Sequence, residues 1–479
     1  MIVRVRPFWA LRARRLFSVD KRFRVSPARV SGRVVSVAEA FGIGVDEEQL
    51  YTVFDEFEID IKPGQVVLIL GESGAGKTVL LRCLAEEMCG LDEFSPVADA
   101  SEMRVRKNIP IIDTVGRDFS DALEKLSLAG LNEAYLFLRC FNELSDGQKY
   151  RYRIARLIDS GAKTWVLDEF TSVLDRVTAR VVAYCLQKAA RRMGATVLAA
   201  TTHSDVAEDL NPDIIVRKGM GPHVSVEYRR PEPRECSILK DVIIERGEKR
   251  DYDVLKHFHY LGELPNWRRG IYRARVGDEI AGVIVYTSPL LHIAGRYKAF
   301  PHLKEMRQKN AKEYAKFVSN NFTRIARVII HPKYRSIGLG VKLVKETMPL
   351  VGTRYVETLA VMARYNPFFE KAGMKRVDTP PPRDEILERI EAMGVKIVPG
   401  SWRKTASSLK KLPTAQLKEV KALCIGRLER LREMKVKSRS DLLRRLRKGV
   451  DLEAIAKTLM MIPKPAVYLY WENLTINQV

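Results

Sequence analysis

The stretch that decides the fold runs from Val66 to Thr78, VVLILGESGAGKT. Pro63-Gly64 bounds an apolar run, a glycine-rich loop follows it, and VLLRCLAEEM then has the apolar spacing of a helix. That order reads as a buried strand turning through glycines into a helix. The loop Gly71-Glu72-Ser73-Gly74-Ala75-Gly76-Lys77-Thr78 fits the pattern GxxxxGK[ST]. Its glycines let backbone N–H groups converge on a phosphate, Lys77 reaches the β- and γ-phosphates, and Thr78 holds Mg2+. The loop predicts bound ATP or GTP.

From about Ala38 to Pro233 strand-like and helical patterns alternate, as in an α/β nucleotide-binding domain. Asn142-Glu143-Leu144-Ser145-Asp146-Gly147-Gln148 opens a helix, KYRYRIARLID. A strand, TWVLDEF, carries Asp168-Glu169, with Asp168 23 residues beyond Ser145. Ser172-Val173-Leu174-Asp175, a helix to Met193, the strand TVLAATT and His203 follow. Asp168, at the carboxyl end of a buried strand, is placed to organise hydrated Mg2+ beside Thr78. Glu169, one residue on, points elsewhere and is placed to polarise an attacking water. His203, just past another strand, is placed to meet the γ-phosphate.

This half, residues 38–232, resembles the ATP-binding cassette (ABC) ATPases. LSDGQ is similar to their signature motif, VLDEF to their Walker B, SVLD to their D-loop and TTHSD to their switch histidine. The resemblance implies ATP as cofactor and a head-to-tail homodimer. In it Ser145, Gly147 and Gln148 of one copy close the site on the other copy's phosphate loop. Three features depart from the pattern. Asp146 replaces the first signature glycine. No glutamine lies between Gln65 and Gln148, leaving Asp113 as a weak stand-in for the Q-loop residue. Lys77 and Ser145 are 68 residues apart, short for the helical subdomain with which transport ATPases grip membrane partners. The base-stacking aromatic is Phe41 or Tyr51.

Pro231-Glu232-Pro233 reads as a boundary. YRARVGDEIAGVIVYTS beyond it predicts a hairpin turning at Gly277-Asp278, and TRIARVIIH a later strand. Arg335-Ser336-Ile337-Gly338-Leu339-Gly340 then leads into the helix VKLVKETMPLV. A strand-to-helix turn with glycines again offers backbone N–H groups to a diphosphate. Residues 233–380 resemble the GNAT acyltransferases. Arg335-x-x-Gly338-x-Gly340 matches their RxxGxG, and NPFFEKAGMKRV is similar to their closing helix and strand. The resemblance implies a GNAT-like α+β domain, acetyl-CoA as cofactor and acyl transfer to an amine. Phe369 occupies the place of the family's tyrosine acid, so Tyr365 is the nearby candidate acid and Glu357 the candidate base. HFHYLG, with His257 and His259, weakly resembles the opening of phage adenine-modifying relatives of that fold. Both histidines read as structural.

The net charge is +23, from 82 Lys+Arg against 59 Asp+Glu, and it gathers at the ends. Residues 1–37 hold ten Lys/Arg with Phe8, Trp9, Phe17 and Phe23 interleaved. They read either as an arm on nucleic acid or as an extension packed on the domain behind. Residues 381–479 read as a basic helical tail, suited to partner helices or to nucleic-acid backbone. Such charge favours a polyanion partner, RNA or DNA. The six cysteines form no CxxC pair and read as reduced thiols, no apolar run is long enough to span a bilayer, and no secretory leader is evident, so the expected location is the cytoplasm. The expected architecture is a P-loop ABC ATPase domain, a GNAT-like domain and a helical tail. The function it implies is ATP hydrolysis with acetyl-CoA-dependent transfer to a nucleic acid or a substrate bound to one. The alternatives are a nucleic-acid- or ribosome-associated ATPase whose second half only binds a ligand, and an ABC transporter subunit.

Overall fold

A computed structural model describes residues 2–4, 16–25, 30–44, 49–259, 263–264, 266–378, 385–398, 401–430, 436–460 and 466–475. Strands β1 (Ile2–Arg4), β2 (Leu16–Val25) and β3 (Gln49–Asp60) form an antiparallel sheet. A second sheet holds β4 (Val66–Gly71), β5 (Val97–Asp99), β6 (Thr164–Leu167), β7 (Thr196–Thr201), β8 (Ile214–Lys218) and β9 (Val224–Tyr228). Its order is β5-β6-β7-β4-β8-β9, parallel throughout except for β9 at one edge. The continuous apolar run in β4 follows from burial on both faces. Val66, Leu68 and Leu70 enter one core with the helices, while Val67 and Ile69 enter another with Phe54 and Ile59 of β3.

The expected boundary at residue 37 is corrected. Leu16–Val25 is a strand paired with β3, and Phe17 and Val19 are buried in the nucleotide-domain core. Phe17 meets Phe94 edge to face at 5.6 Å. Apolar alternation in LFSVDKRFRV outweighs its cationic residues, of which Arg22 and Arg24 are exposed and Lys21 is buried. Phe8 and Trp9 lie outside the described residues.

The second half is one seven-stranded sheet of β10 (Val242–Arg246), β11 (Arg268–Val276), β12 (Glu279–Thr287), β13 (Phe322–Ile330), β14 (Tyr355–Ala360), β15 (Lys375–Val377) and β16 (Val467–Glu472). The order is β10-β11-β12-β13-β14-β16-β15, antiparallel except between β13 and β14. Those two touch only over Phe322–Arg324 and Tyr355–Glu357 and then part.

The expected helical tail is therefore corrected as well. Residues 467–472 return as a strand between β14 and β15. The helices Glu385–Ala392, Trp402–Leu409, Thr414–Arg430, Val436–Lys448 and Leu452–Met460 are an insertion with its own core, which includes Leu409, Val420, Cys424 and Ile455. The run VYLYWE alternates like a strand, but it is short and follows a long helical region, which hides the signal.

The two halves share packing. Val181 and Cys185 of the helix Arg176–Met193 belong to the same core as Ile238, Tyr286 and Leu343. Arg180 joins Asp209 to Ser237 across the boundary. All six cysteines are free, and no described helix is long and apolar enough to cross a membrane.

Glu87, on the helix Lys77–Cys89, is half-buried, its Oε1 has no hydrogen-bond partner among the described residues, and burial pushes its carboxyl up to about 7. The folded state thus holds the proton more tightly than the unfolded chain, so the protein loses stability as pH rises from about 4.5 to 7. Glu87→Gln should raise the melting temperature at pH 8 and leave it nearly unchanged at pH 4; an equal effect at both would refute this linkage.

Candidate functional site

The phosphate loop is shaped by close approach as well as by glycine flexibility. A Cβ on Gly71 would lie 2.3 Å from the Lys218 carbonyl, and one on Gly76 would lie 2.5 Å from Val53. Gly74 and Gly76 have φ of 77° and 103°, which other residues seldom adopt. The loop opens the helix Lys77–Cys89, so Gly76, Lys77 and Thr78 present unpaired N–H groups at its positive end. Glu72, Ser73 and Gly74 are exposed, Ala75 is buried and the rest are half-buried. Lys77 Nζ donates to the Glu72 carbonyl at 2.7 Å, across the hollow where phosphate would lie. Burial lowers the Lys77 pKa, while Asp168 and Glu169 oppose that shift.

Thr78 Oγ1 donates to Asp168 Oδ1 at 3.2 Å, so the two residues proposed for metal meet although they are 90 positions apart. A hydroxyl and a carboxylate oxygen are hard donors, and with phosphate oxygens and water they fit Mg2+. Glu169 is exposed beside them, with φ 47°, and its N–H donates to Asp168 Oδ1 at 2.9 Å. Thr171 is also left-handed, with φ 65°. Two non-glycine residues held this way within one loop store strain, a feature that concentrates at functional sites. His203 is half-buried just after β7, and its N–H donates to Thr201 Oγ1 at 3.1 Å.

Ser145 caps the helix Asp146–Asp159. Its Oγ accepts from the Gln148 N–H, and Gln148 Oε1 accepts from the Ser145 N–H, a reciprocal capping box. Gly147 is needed because a Cβ there would press Leu174 at 3.2 Å. Asp146 points to solvent, 89% exposed, and pairs with Lys149. No hydrogen bond or ion pair joins Ser145–Gln148 to Gly71–Thr78 among the described residues. Asp113 is exposed at the end of a 3-10 turn. Phe41 is 77% exposed at a helix end, whereas Tyr51 lies on β3, with its hydroxyl accepting from the Gly221 N–H.

The second glycine turn has the expected local form and an unexpected neighbour. Gly338, with φ 100°, caps the helix Leu339–Thr347, and Ser336 has φ 69°. Ile337 and Leu339 are buried in the core, and Gly340 is half-buried, where a Cβ would lie 3.6 Å from Phe368. Arg335, however, donates through Nε to the Ile330 carbonyl at 2.8 Å and through Nη1 to the Asn132 carbonyl at 2.5 Å. Ser336 Oγ donates to the Ser127 carbonyl at 3.0 Å. The expected role of Arg335 as a phosphate ligand is thus corrected: its guanidinium ties the two halves together. Asn132 sits 203 positions away, and nothing in the sequence pattern points to it.

Both acyl-transfer candidates are corrected too. Glu357 is fully buried, accepting from Arg296 Nε at 3.0 Å, from Arg296 Nη2 and from the Tyr468 hydroxyl at 2.9 Å. A carboxylate so occupied is a structural anchor and has no path to an acceptor amine. Tyr365 packs edge to face on Phe119 of the nucleotide half at 5.2 Å. Phe369 is a buried core residue. Burial with the nearby Arg327 and Arg335 lowers the His259 pKa to about 4, so it is neutral at pH 7.

Comparison with known proteins agrees with this geometry for the first half. The ABC transporter family profile matches residues 54–93. The hemin import ATP-binding protein HmuV of Pseudomonas aeruginosa is 27% identical over 244 residues, covering 43% of this chain and 93% of that protein. The methionine import ATP-binding protein MetN of Clostridium tetani is 32% identical over 195 residues, covering 33% of this chain and 59% of that protein. A dimeric ATP-binding cassette solved in a post-hydrolysis state with ADP and Pi is 20% identical, covers 39% of this chain and 94% of its own, and has a TM-score of 0.32. The first half of the chain is an ATP-binding-cassette domain with a P-loop fold. It is homologous to ATP-binding subunits of ABC transporters.

Proposed function

We propose that the chain hydrolyses ATP as a head-to-tail homodimer in the cytoplasm, and that its second half is a GNAT-like domain binding acetyl-CoA for transfer to a nucleic acid or a substrate bound to one. The observation that carries the ATPase reading is the Thr78–Asp168 contact at 3.2 Å with Glu169 beside it. Lys77 orients the β- and γ-phosphates, and Thr78 and Asp168 would hold Mg2+. That ion supplies neutralisation of the phosphate charge. Glu169 takes the proton of the attacking water, and His203 contacts the γ-phosphate side of the site. The outward-facing Ser145, with its helix N-terminus, supports a site completed by a second copy.

Support for the second half comes from the turn at Gly338 and from the parting of β13 and β14. Beyond Arg324 one edge of β13 has no strand partner among the described residues, which suits an extended, amide-bearing arm such as that of acetyl-CoA. Incubation with labelled acetyl-CoA and total tRNA, DNA or protein should transfer label. Gly338→Val should reduce that transfer at least about tenfold, because a β-branched residue at φ 100° distorts the turn. Absence of transfer to every acceptor would refute the transferase reading.

A second reading, in which this half only binds a ligand, is favoured by the burial of Glu357 and Phe369 and by the docking of Tyr365. It is excluded if label transfer is found and is lost in Gly338→Val. The relatives are import proteins by name; an import role for this chain would require recovery with a membrane-embedded partner.

A further inference from the structure

A second cation lies against the phosphate loop, far outside the motif that defines it. Lys218 ends β8, in register with Gly71 of β4. A Cβ on Gly71 would meet the Lys218 carbonyl at 2.3 Å and its Cβ at 3.4 Å, and one on Gly76 would lie 3.8 Å from its Cε. The first and last glycines of the loop therefore rest on this one residue. Its ammonium sits one bond beyond the contact with Gly76.

Lys218 is 2% exposed, yet no carboxylate pairs with it among the described residues. Its Nζ donates to the Gly219 carbonyl at 2.7 Å and to the Gly221 carbonyl, and it lies 4.9 Å from the centroid of the Phe54 ring on β3. Burial alone lowers its pKa. Lysines are almost never this buried without a counter-charge, because a dry charge costs free energy that apolar packing does not. A methionine would fill the same channel without that cost. Packing therefore does not explain the charge.

The charge balance of the loop does. Within Gly71–Thr78 the only cation is Lys77, with Glu72 beside it, and Asp168 and Glu169 also act on Lys77. Three carboxylates against one ammonium make a poor host for a nucleoside triphosphate, which stays anionic even with Mg2+ bound. A cation at the foot of the loop, where little water screens it, offsets them.

We propose that Lys218 is a positioning residue for the nucleotide phosphates: its buried charge, acting across the loop it supports, adds to Lys77 in holding the triphosphate. The inference rests on the reading of Gly71–Thr78 as the ATP site. It differs from a role in shape alone. The turn that Lys218 holds also donates the Gly221 N–H to the Tyr51 hydroxyl, so a loss of shape would reach one of the two candidate base-stacking residues and weaken every nucleotide alike. A loss of charge discriminates by phosphate number.

The test is displacement of fluorescent methylanthraniloyl-ATP from the full chain, with Mg2+ present, by ATP, ADP and AMP. Lys218→Met should weaken ATP about tenfold, ADP about threefold and AMP less than about twofold, since a Coulombic contribution grows with the charge of the ligand. Lys218→Gln keeps a donor for the turn and drops the charge, so it should give the same ladder. Melting temperatures near or above that of the parent would show that the variants fold, and either variant alone carries the test. Equal losses for the three nucleotides would overturn the proposal by reducing Lys218 to a support of loop shape. Affinities of Lys218→Gln equal to the parent's would overturn it by assigning any loss in Lys218→Met to the hydrogen bonds of the turn. Failure of the parent to bind the probe would instead remove the reading of Gly71–Thr78 as an ATP site, and this inference with it.

Discussion

Glu169→Gln should lower the ATPase rate at least about 100-fold while leaving ATP affinity within a few-fold of the parent. A positioned general base contributes about 10²–10⁴ to the rate, and glutamine keeps the shape but takes no proton. Glu169 is exposed in the absence of nucleotide, so its exchange removes no packing. The strained backbone, with φ 47°, is set by neighbouring contacts: the Phe170 N–H donates to the Ala200 carbonyl, and the Thr171 N–H donates to the Tyr150 hydroxyl. With hydrolysis blocked, ATP should hold two copies together, seen as a doubling of mass on size exclusion with ATP and not with ADP. Lys77→Ala is the contrasting variant. It removes the cation opposite the β- and γ-phosphates, so ATP affinity itself falls and no dimer forms. Turnover in Glu169→Gln equal to the parent would remove the role assigned to this carboxylate.

Much of this site was legible because each part is local. Gly71–Thr78 is a contiguous loop, and Asp168-Glu169 and Ser145–Gln148 are short runs at the ends of periodic segments. Gly71–Thr78 and Asp168-Glu169 converge because the parallel strands β4 and β6 end on the same side of the sheet, whereas Ser145–Gln148 stays apart from them. What escaped was non-local. Arg335 looked like a phosphate ligand because its motif is contiguous, yet its donors are taken by carbonyls at Ile330 and Asn132. Glu357 looked like a free carboxylate on a strand, since nothing near it in sequence announces Arg296 on a helix 61 positions earlier. The strand at Val467–Glu472 was lost behind a basic helical region, because six alternating residues are a short signal and nothing in them names Tyr355–Ala360 as their partner.

Glu357→Ala should be the most damaging single exchange in the second half. Arg296 and Glu357 both have fully buried side chains, and Arg296 also donates to the Leu290 carbonyl at 2.7 Å and to the Tyr314 hydroxyl at 3.2 Å. Removing the carboxylate leaves the guanidinium charged and dry, a loss of about 3–5 kcal/mol. Tyr468→Phe removes one hydrogen bond to a charged acceptor and should cost about 1.5–3 kcal/mol. Burial, reinforced by Glu357, keeps that phenol protonated as a donor. The pair also ties β14 to β16 and to the helix Ala294–Ala299, so its loss should loosen the late strand from the sheet. Urea unfolding would measure the loss, and hydrogen exchange should show Val467–Glu472 losing protection first. Replacing both charges, Arg296→Met with Glu357→Leu, should recover most of the stability, since two apolar side chains leave no orphaned ion. The same set separates anchor from base. If Glu357 served chemistry, Glu357→Gln would abolish acyl transfer with stability intact; as an anchor, it lowers stability first and transfer only in proportion to unfolded protein.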